Sequence, residues 1–431
     1  MKPRTLYLLL LAALSSYGAM GQINCASGSA SRKLVCEFPF ATGVLSNANA
    51  LGGQNSAASN AVKLATTLNV AIATQASQLP LATASAGVVL VYRNGVPETF
   101  NNLGPILTDR AQTIGARRMF FGVTASQFVF TDIDGSSLSN LPFAYSQVAY
   151  APGSTSQVVS TTYTTETTSL SFRADQLVAV ATLGLTKRID YTVIVPIERV
   201  SLGATTSHSQ SYVVSASTNQ AFGPVNNPQT YTAGTASGVG DITVNVKAEI
   251  WGGERGAFST GMNLRAPTGD ELNFLGSGAW GFNPYLVYSY LAKVSPHAKV
   301  GYEWNSDSDL NNPTLTAHGN QALPGGMQYD IGADWAMQRH WTFAADLQGN
   351  QYLNTPRLVP GAIVNISTAS STFSLATSTS GTSSYSINNV STGVKWNPAG
   401  NLVISANLLT QINNNGLRSR PTPLVGISYK F

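Results

Sequence analysis

From residue 119 onward the chain repeats one pattern, in which a stretch of apolar side chains alternating with polar or small ones is followed by a break and then by another such stretch. Between Asp241 and Ile250 every even-numbered residue is apolar and every odd-numbered residue is polar. Because successive side chains of a strand point to opposite faces, each such stretch has one apolar and one polar face. No stretch with the helical period of 3.6 separates them. A soluble β-sandwich strand can alternate in the same way, but this uninterrupted repetition favours an all-β chain that forms a transmembrane barrel.

Counting the alternating stretches gives twelve strands, an even number as in single-chain bacterial barrels, with fourteen as the alternative count. Each is long enough for the roughly 9 to 11 residues that a tilted transmembrane strand requires. The predicted ranges are 119–131, 165–186, 189–205, 239–250, 257–266, 278–290, 296–305, 327–337, 341–352, 384–396, 401–412 and 421–431. We therefore predict an antiparallel barrel over residues 118–431, with the long stretch 165–186 projecting beyond the membrane.

Long and short connections alternate between these strands. The predicted long connections are 132–164, 206–238, 306–326 and 353–383, and the short turns lie near Lys187, Gly252, Lys293, Gln338 and Pro398. Outer-membrane barrels have short periplasmic turns and longer extracellular loops, so both chain termini are predicted to be periplasmic. Aromatic residues near the short turns resemble an interfacial girdle. They are Trp251, Tyr290, Trp335, Trp341, Trp396, Tyr429 and Phe431.

The two ends of the chain predict the bacterial outer membrane as its destination. Lys2 and Arg4 precede a short apolar run that ends at Leu14, which indicates a signal peptide over residues 1–21. The run is too short for a transmembrane helix. The last strand carries Val425, Ile427, Tyr429 and Phe431 on one face and resembles the C-terminal assembly signal of bacterial outer-membrane barrels. The expected partners are therefore outer-membrane lipids, the barrel assembly machinery and a small-molecule solute.

Composition and motifs argue against other classes of function. Only 10% of the residues are charged, and without Lys2 and Arg4 the 24 basic residues fall to 22 against 20 acidic ones, a net charge of +2. Basic residues do not cluster, so we expect no nucleic-acid partner. The histidines are His208, His297, His318 and His340, and none lies in a sequence motif for metal binding or nucleophilic catalysis. We expect no catalytic residue, no metal and no cofactor; the oligomeric state is not predicted.

Residues 22–117 differ in kind from the barrel. They include a predicted helix over 57–78, and a β-hairpin whose turn is Asn94-Gly95, a strong two-residue hairpin signal. Cys25 and Cys36 are the two cysteines, and in an oxidising compartment they are expected to form a disulfide worth on the order of 3 kcal/mol. The segment either plugs the barrel lumen, as the N-terminal hatch does in long-chain fatty acid and aromatic-hydrocarbon channels, or forms a periplasmic extension.

Ten charged residues are predicted to face the barrel interior. They are Lys247, Glu249, Arg265, Lys299, Glu303, Asp330, Asp334, Asp346, Lys395 and Lys430. If the two strands around the loop after Asn305 pair directly, Lys299 lies opposite Asp334 as an ion pair and Glu303 lies opposite Asp330 as a like-charge contact. Such groups either line a pore and set its ion preference or fill and rigidify a narrow lumen.

Three short motifs resemble one family of outer-membrane proteins. They are the segment 183–197 (LGLTKRIDYTVIVPI), Gly240-Asp241-Ile242 at the start of one strand, and residues 265–269 (RAPTG) at the end of the next. The family is the one named for the meta pathway of phenol degradation, and the resemblance covers roughly residues 118–431. It implies an outer-membrane channel for passive passage of small hydrophobic or aromatic molecules. The alternative is a closed structural or surface-binding barrel that contacts partners through its long extracellular loops.

Overall fold

The structure, a computed structural model, describes residues 33–37, 67–72, 74–75, 79, 89–93, 96–100, 103–105, 107–151, 153–154, 157–311, 321–338, 340–367 and 372–431. The predicted signal peptide and Cys25 lie outside these residues, so the signal peptide and the Cys25–Cys36 disulfide stay predictions. Cys36 itself is buried. Helices in the described part of the chain are all too short or too polar to cross a membrane.

Most of the described chain is antiparallel β-sheet. In chain order the strands are β1 (Val89–Arg93), β2 (Val96–Phe100), β3 (Met119–Ile133), β4 (Ser136–Ser137), β5 (Leu141–Tyr150), β6 (Val158–Gly184), β7 (Ile189–Ser215), β8 (Ala221–Asn227), β9 (Thr230–Val239), β10 (Ile242–Gly252), β11 (Gly256–Ala266), β12 (Gly281–Tyr290), β13 (Val294–Asn305), β14 (Gly326–Gln338), β15 (Trp341–Ser367), β16 (Thr372–Trp396), β17 (Leu402–Gln411), β18 (Leu417–Ser419) and β19 (Thr422–Lys430). Short 3-10 helices lie at Leu34–Cys36, Leu138–Asn140, Glu271–Asn273 and Asp309–Asn311. Residues 67–72 and 74–75, within the predicted helix, are α-helical.

Twelve of these strands close a barrel. They are β3, β6, β7, β10 to β17 and β19, each antiparallel to the next. The last strand closes the ring on the first, with Val425 opposite Ala125 and Tyr429 opposite Phe121. The predicted twelve-stranded antiparallel barrel is therefore confirmed, and each predicted strand corresponds to one barrel strand. The separate β1–β2 hairpin, with Arg93 opposite Val96, is also confirmed.

Three of the predicted long connections are wrong, because much of 132–164, 206–238 and 353–383 is strand. β6, β7 and β15 are each 27 residues long, and β5, β8 and β9 widen the sheet beside β6 and β7. These extensions are rich in Ser and Thr, as in the run from Thr161 to Thr168. Threonine favours strands, but it does not produce an apolar alternation, so a search for apolar faces misses such strands. The barrel wall therefore rises far above one end, which we call the long-loop end; the other is the short-turn end.

An apolar band covers the outside of the barrel. Its exposed residues include Ile197, Leu286, Ile331 and Val425. The aromatic residues predicted beside the short turns lie at the short-turn end, where Trp341 stacks on Trp396 at 5.7 Å between ring centroids. An outward apolar band with aromatic residues at its edge is typical of a transmembrane β-barrel.

Replacing Phe431 with Ala is expected to lower the amount of protein in the outer membrane several-fold without changing the heat stability of the folded barrel. The side chain is 69% exposed, so its loss removes little burial, while the backbone N–H of Phe431 still donates to the Met119 carbonyl at 2.8 Å. Phe121→Ala is the matched control, because Phe121 is a 48% exposed aromatic residue opposite Tyr429 and away from the terminus. Equal membrane levels of both variants, measured by immunoblotting of outer-membrane fractions, would contradict the assembly role.

Candidate functional site

The inner face of the barrel changes chemistry along the strands. On β6 and β7, the inward residues nearest the short turn are the polar Thr182 and Asp190, and the apolar Val180 and Ile194 lie close to them. Towards the long-loop end they become apolar, as at Phe172, Val200 and Leu202. The lumen therefore has a polar part and an apolar part, each of which contacts a different stretch of the N-terminal residues.

The chain before β3 crosses the polar part of the lumen. Residues 103–105 and 107–114, here called the lumen segment, are held by two lysines of the wall. Lys395 Nζ donates to the carbonyls of Leu103 (3.3 Å) and Pro105 (2.6 Å). Lys247 Nζ donates to the carbonyls of Arg110 (2.9 Å) and Gln112 (3.1 Å). Charge-assisted bonds of this kind are roughly twice as strong as neutral ones, so both lysines fix the backbone path of the segment.

Ion pairs add to this attachment. Arg110 Nη2 lies 2.7 Å from Asp334 Oδ2, and both side chains are buried. Asp109 Oδ2 accepts from Lys299 Nζ at 3.1 Å. The backbone N–H of Ile114 donates to the Asp190 carboxylate at 3.0 Å. Wall hydroxyls complete the set: Ser289 accepts from the Ala111 N–H, and Ser259 donates to the Ala111 carbonyl.

His297 belongs to the site, although it is not among the ten interior residues predicted from the sequence. Its ring lies between two buried carboxylates, with Nδ1 3.3 Å from Asp334 Oδ1 and Nε2 2.7 Å from Asp346 Oδ1. The three residues belong to adjacent strands β13, β14 and β15, far apart in the chain. Only the strand register brings them together, so no local motif could have indicated the cluster. Because Asp334 also binds Arg110, the cluster orients the carboxylate that holds the lumen segment.

The predicted pairing of β13 with β14 is wrong by four residues. Lys299 lies opposite Asp330, whereas Asp334 lies opposite Ser295 and Glu303 opposite Gly326. The ladder continues into the loop through a bridge between Asp307 and Ala322, so the hairpin does not end at Asn305. Instead of facing Asp330, Glu303 binds Arg265 Nη1 at 3.1 Å and accepts from Gln328 Nε2 at 2.6 Å.

All ten predicted interior charges lie wholly or partly buried. Lys247, Arg265, Glu303, Asp334, Asp346 and Lys395 are buried, and Glu249, Lys299, Asp330 and Lys430 are partly buried. Those that bind the lumen segment directly include Lys247, Lys299, Asp334 and Lys395. Much of this charge thus holds an internal segment in place.

Two of the family-like motifs meet at one point of the lumen. Asp241 accepts from the Gly269 N–H (3.1 Å), from the Ser277 N–H (2.7 Å) and from the Ser277 hydroxyl (2.5 Å). Thr268 donates its hydroxyl to the Gly240 carbonyl at 2.7 Å and accepts from the Ile242 N–H at 3.0 Å. These bonds fold the β11–β12 loop inward and bury its Phe274 completely.

An apolar cluster fills the lumen towards the long-loop end. From the wall, Phe130 stacks on Phe172 at 4.8 Å between centroids, and Phe172 meets Phe274 edge-on at 6.3 Å. From the N-terminal residues, Leu34, Val35, Leu68 and Ile72 belong to the same buried cluster. Asn69 Nδ2 donates to the Val35 carbonyl at 3.0 Å, and the Leu34 N–H donates to Asn273 Oδ1 at 3.1 Å.

Glu166 is a further buried carboxyl that the sequence analysis did not select. It lies eighteen residues before the end of β6, which is roughly 60 Å along the strand and therefore beyond the membrane. Burial raises the pKa of Glu166 to about 8, so the side chain is mostly protonated at neutral pH.

Comparison with protein-family models identifies the chain. Residues 143–418, more than half of the chain, match the family described as "Putative MetA-pathway of phenol degradation". The protein belongs to this family. The family resemblance found in the sequence is therefore confirmed. No curated protein matches the chain.

Solved structures with a similar fold are bacterial outer-membrane proteins. An outer-membrane channel from Pseudomonas putida F1 is 14% identical, with a TM-score of 0.43 over 75% of this chain and 99% of that chain. The Ralstonia pickettii toluene transporter TbuX is 11% identical, with a TM-score of 0.35 over 80% of this chain and 98% of that chain. A Pseudomonas aeruginosa FadL homologue is 10% identical, with a TM-score of 0.35 over 82% of this chain and 99% of that chain.

Proposed function

We propose that this protein is an outer-membrane channel through which small apolar and aromatic molecules pass passively. The observation that carries the proposal is the apolar inner wall formed by Phe128, Phe130, Phe172, Val200 and Leu202. A water-filled barrel has a polar interior, whereas here the wall presents aromatic and aliphatic side chains to the lumen. An apolar solute gains free energy by leaving water for such a surface, so this part of the lumen favours its entry.

The proposal includes an orientation. The short-turn end faces the periplasm and the long hairpins β6–β7 and β15–β16 face the cell exterior, as in outer-membrane barrels generally. Both chain termini are then periplasmic, and residues 1–21 are removed as a signal peptide. The position of Phe431 at the short-turn end, bonded to Met119, supports this orientation.

Residues 22–117 act as a plug in this proposal, and residues 118–431 form the barrel. Three observations support it: the lysine and ion-pair contacts of the lumen segment, the packing of Leu34 and Leu68 in the apolar cluster, and the bonds of Gln75 to Leu417. The plug occupies surfaces that a solute would need, so passage requires it to move or a gap to open beside it.

A closed barrel that binds partners at its surface is the second candidate function. The observation in its favour is that N-terminal residues contact the wall in both the polar and the apolar parts of the lumen. Long Ser- and Thr-rich hairpins would then provide the contact surface. The two candidates differ in one measurable property, which is passage of solute.

Conductance and uptake separate the two candidates. Planar-bilayer recordings measure the conductance of the full-length protein and of a deletion of residues 22–117. Uptake of labelled toluene is measured in bacterial cells that carry one or the other protein in the outer membrane. Cells are needed because pure lipid vesicles admit toluene unaided. We expect uptake with the full-length protein and larger conductance with the deletion. Absence of conductance and uptake in both would reject the channel.

A further inference from the structure

A cavity of about 210 Å³ remains in the lumen between the apolar cluster and the lumen segment. Leu79, Leu107 and Asp109 close it on the plug side, and inward residues of the barrel strands form its wall. At about 30 Å³ per molecule of liquid water, this is room for roughly seven waters. The cavity is therefore large enough for a small organic molecule.

Amide and charged side chains line this cavity in equal numbers. Seven of the lining residues are Asn or Gln, among them Asn245, Asn263, Asn283 and Gln328. Asn245 Nδ2 donates to Asn263 Oδ1 at 2.6 Å, and Asn283 Nδ2 donates to Gln328 Oε1 at 2.6 Å. Each amide offers two donor hydrogens and an acceptor oxygen, so the wall can both donate to and accept from a guest.

Six of the seven charged residues in the wall form three ion pairs, and the seventh, Asp330, lies opposite Lys299 on the neighbouring strand. Arg265 lies 3.1 Å from Glu303, Lys299 lies 3.1 Å from Asp109, and Lys247 lies 3.8 Å from Asp190. An ion that entered would lose its hydration and would meet charged groups most of which are already paired with an opposite charge. An apolar guest would displace water from the amides without replacing their hydrogen bonds. The cavity is thus poorly suited both to ions and to hydrocarbons.

One buried acceptor in the wall has no donor among the described residues. Asn283 is 4% exposed, and no described residue donates to its Oδ1. A Cβ atom at residue 301 would lie 2.9 Å from this oxygen, so Gly301 leaves space beside it. This oxygen is itself buried, so a guest hydroxyl reaches it only when the Asn283 side chain turns towards the cavity. The new hydrogen bond would then remove the cost of a buried acceptor without a partner, which is about 1 to 3 kcal/mol.

We propose that this cavity is a binding site for a small uncharged polyhydroxylated molecule. Hydroxyl groups donate and accept equally well, which matches the amide wall, and the absence of charge matches its internal ion pairs. The site goes beyond the proposed passage of apolar molecules, because it takes a different chemical class and uses the polar part of the lumen.

Saturation-transfer NMR tests the proposal on the full-length protein in deuterated detergent, with the pentose D-arabinose as the probe. We expect arabinose signals with the wild type that fall when glycerol is added and persist when toluene is added. In the Asn283→Leu, Gln328→Leu double variant the signals should fall at least tenfold. Asn407→Leu is the matched control, since Asn407 is a 6% exposed amide that faces the lumen outside the cavity and bonds Ser391 at 2.8 Å.

Two results would overturn the proposal. One is the lack of an arabinose signal with the wild-type protein, and the other is an equal signal in the double variant and in Asn407→Leu. Heat-modified mobility on gels checks that each variant is folded. If the double variant does not fold, the wild-type competition is the test, and arabinose signals that do not fall when glycerol is added would overturn the proposal. Neither result depends on toluene uptake, so this site and the apolar channel can fail separately.

Discussion

Replacement of Arg110 by Met is expected to free the lumen segment and to raise the open probability of the channel. Arg110 is 5% exposed and pairs with Asp334, whose side chain is completely buried, at 2.7 Å. Removing one partner of a buried ion pair costs about 3 to 5 kcal/mol, because the other charge stays buried without it. If that loss weakens only the docked state, the ratio of open to closed channels rises at least about 100-fold. Planar-bilayer recordings at constant salt measure this ratio.

The matched control for Arg110→Met is Arg173→Met. Arg173 also forms an ion pair, with Asp175 at 2.9 Å, but the pair is exposed, so its removal should leave the recordings unchanged. Asp334→Asn tests the same contact from the wall, and the double variant Arg110→Met, Asp334→Asn should open less often than Arg110→Met alone, because it no longer buries an unpaired carboxylate. Wild-type open probability in Arg110→Met would show that this ion pair does not hold the plug.

Replacement of Asp241 by Ala is expected to destabilise the barrel by about 2 to 6 kcal/mol. The substitution leaves the N–H groups of Gly269 and Ser277 without their acceptor, and each buried group left unpaired costs about 1 to 3 kcal/mol. The Ser277 hydroxyl can still donate to the Ala279 carbonyl at 3.0 Å. The β11–β12 loop then loses its attachment to Asp241. Phe274, which belongs to this loop, is then no longer held in its buried position. Hydrogen exchange at Gly269 and Ser277 should accelerate, and the urea midpoint of unfolding in detergent should fall.

Asp175→Ala is the comparison for this second experiment. Asp175 accepts from Arg173 and Gln127 on the exposed side of β6, where such bonds contribute about 0 to 1 kcal/mol. Its urea midpoint should therefore stay close to that of the wild type. A similar, small change in both variants would mean that Asp241 is not what fastens the loop.

The outer surface of the barrel was largely predictable from the sequence, whereas the lumen was not. Alternation alone predicts which side chains face the membrane, since lipid favours apolar side chains on every strand, as at Val425, Ile427 and Tyr429. The inward faces of the strands carry polar residues near the short turns and apolar residues further up, and both are buried. Hydropathy cannot separate an inward Phe172 from a lipid-facing Phe282 without the strand's register and direction.

His297, Asp334 and Asp346 illustrate the same difference at the candidate site. Each residue can be recognised in the sequence as a charged or titratable side chain. Because side chains alternate between the two faces of a strand, its position along the strand also predicts that it faces inward. Their contacts depend on how far β13, β14 and β15 slide past one another, and a slip of four residues keeps parity while it changes every partner. The predicted Lys299 and Asp334 pair failed for this reason.

Alternation and short motifs were enough to predict twelve barrel strands, their inward and outward faces and the family, because both are local properties of the chain. The register, the cluster around Asp334, the path of the lumen segment and the polar cavity above it became visible only in the folded structure. These depend on contacts between residues that lie up to about 290 positions apart, as for Lys395 and Pro105. Such contacts depend on how the strands pair in the closed barrel, and the sequence of one strand does not specify that pairing.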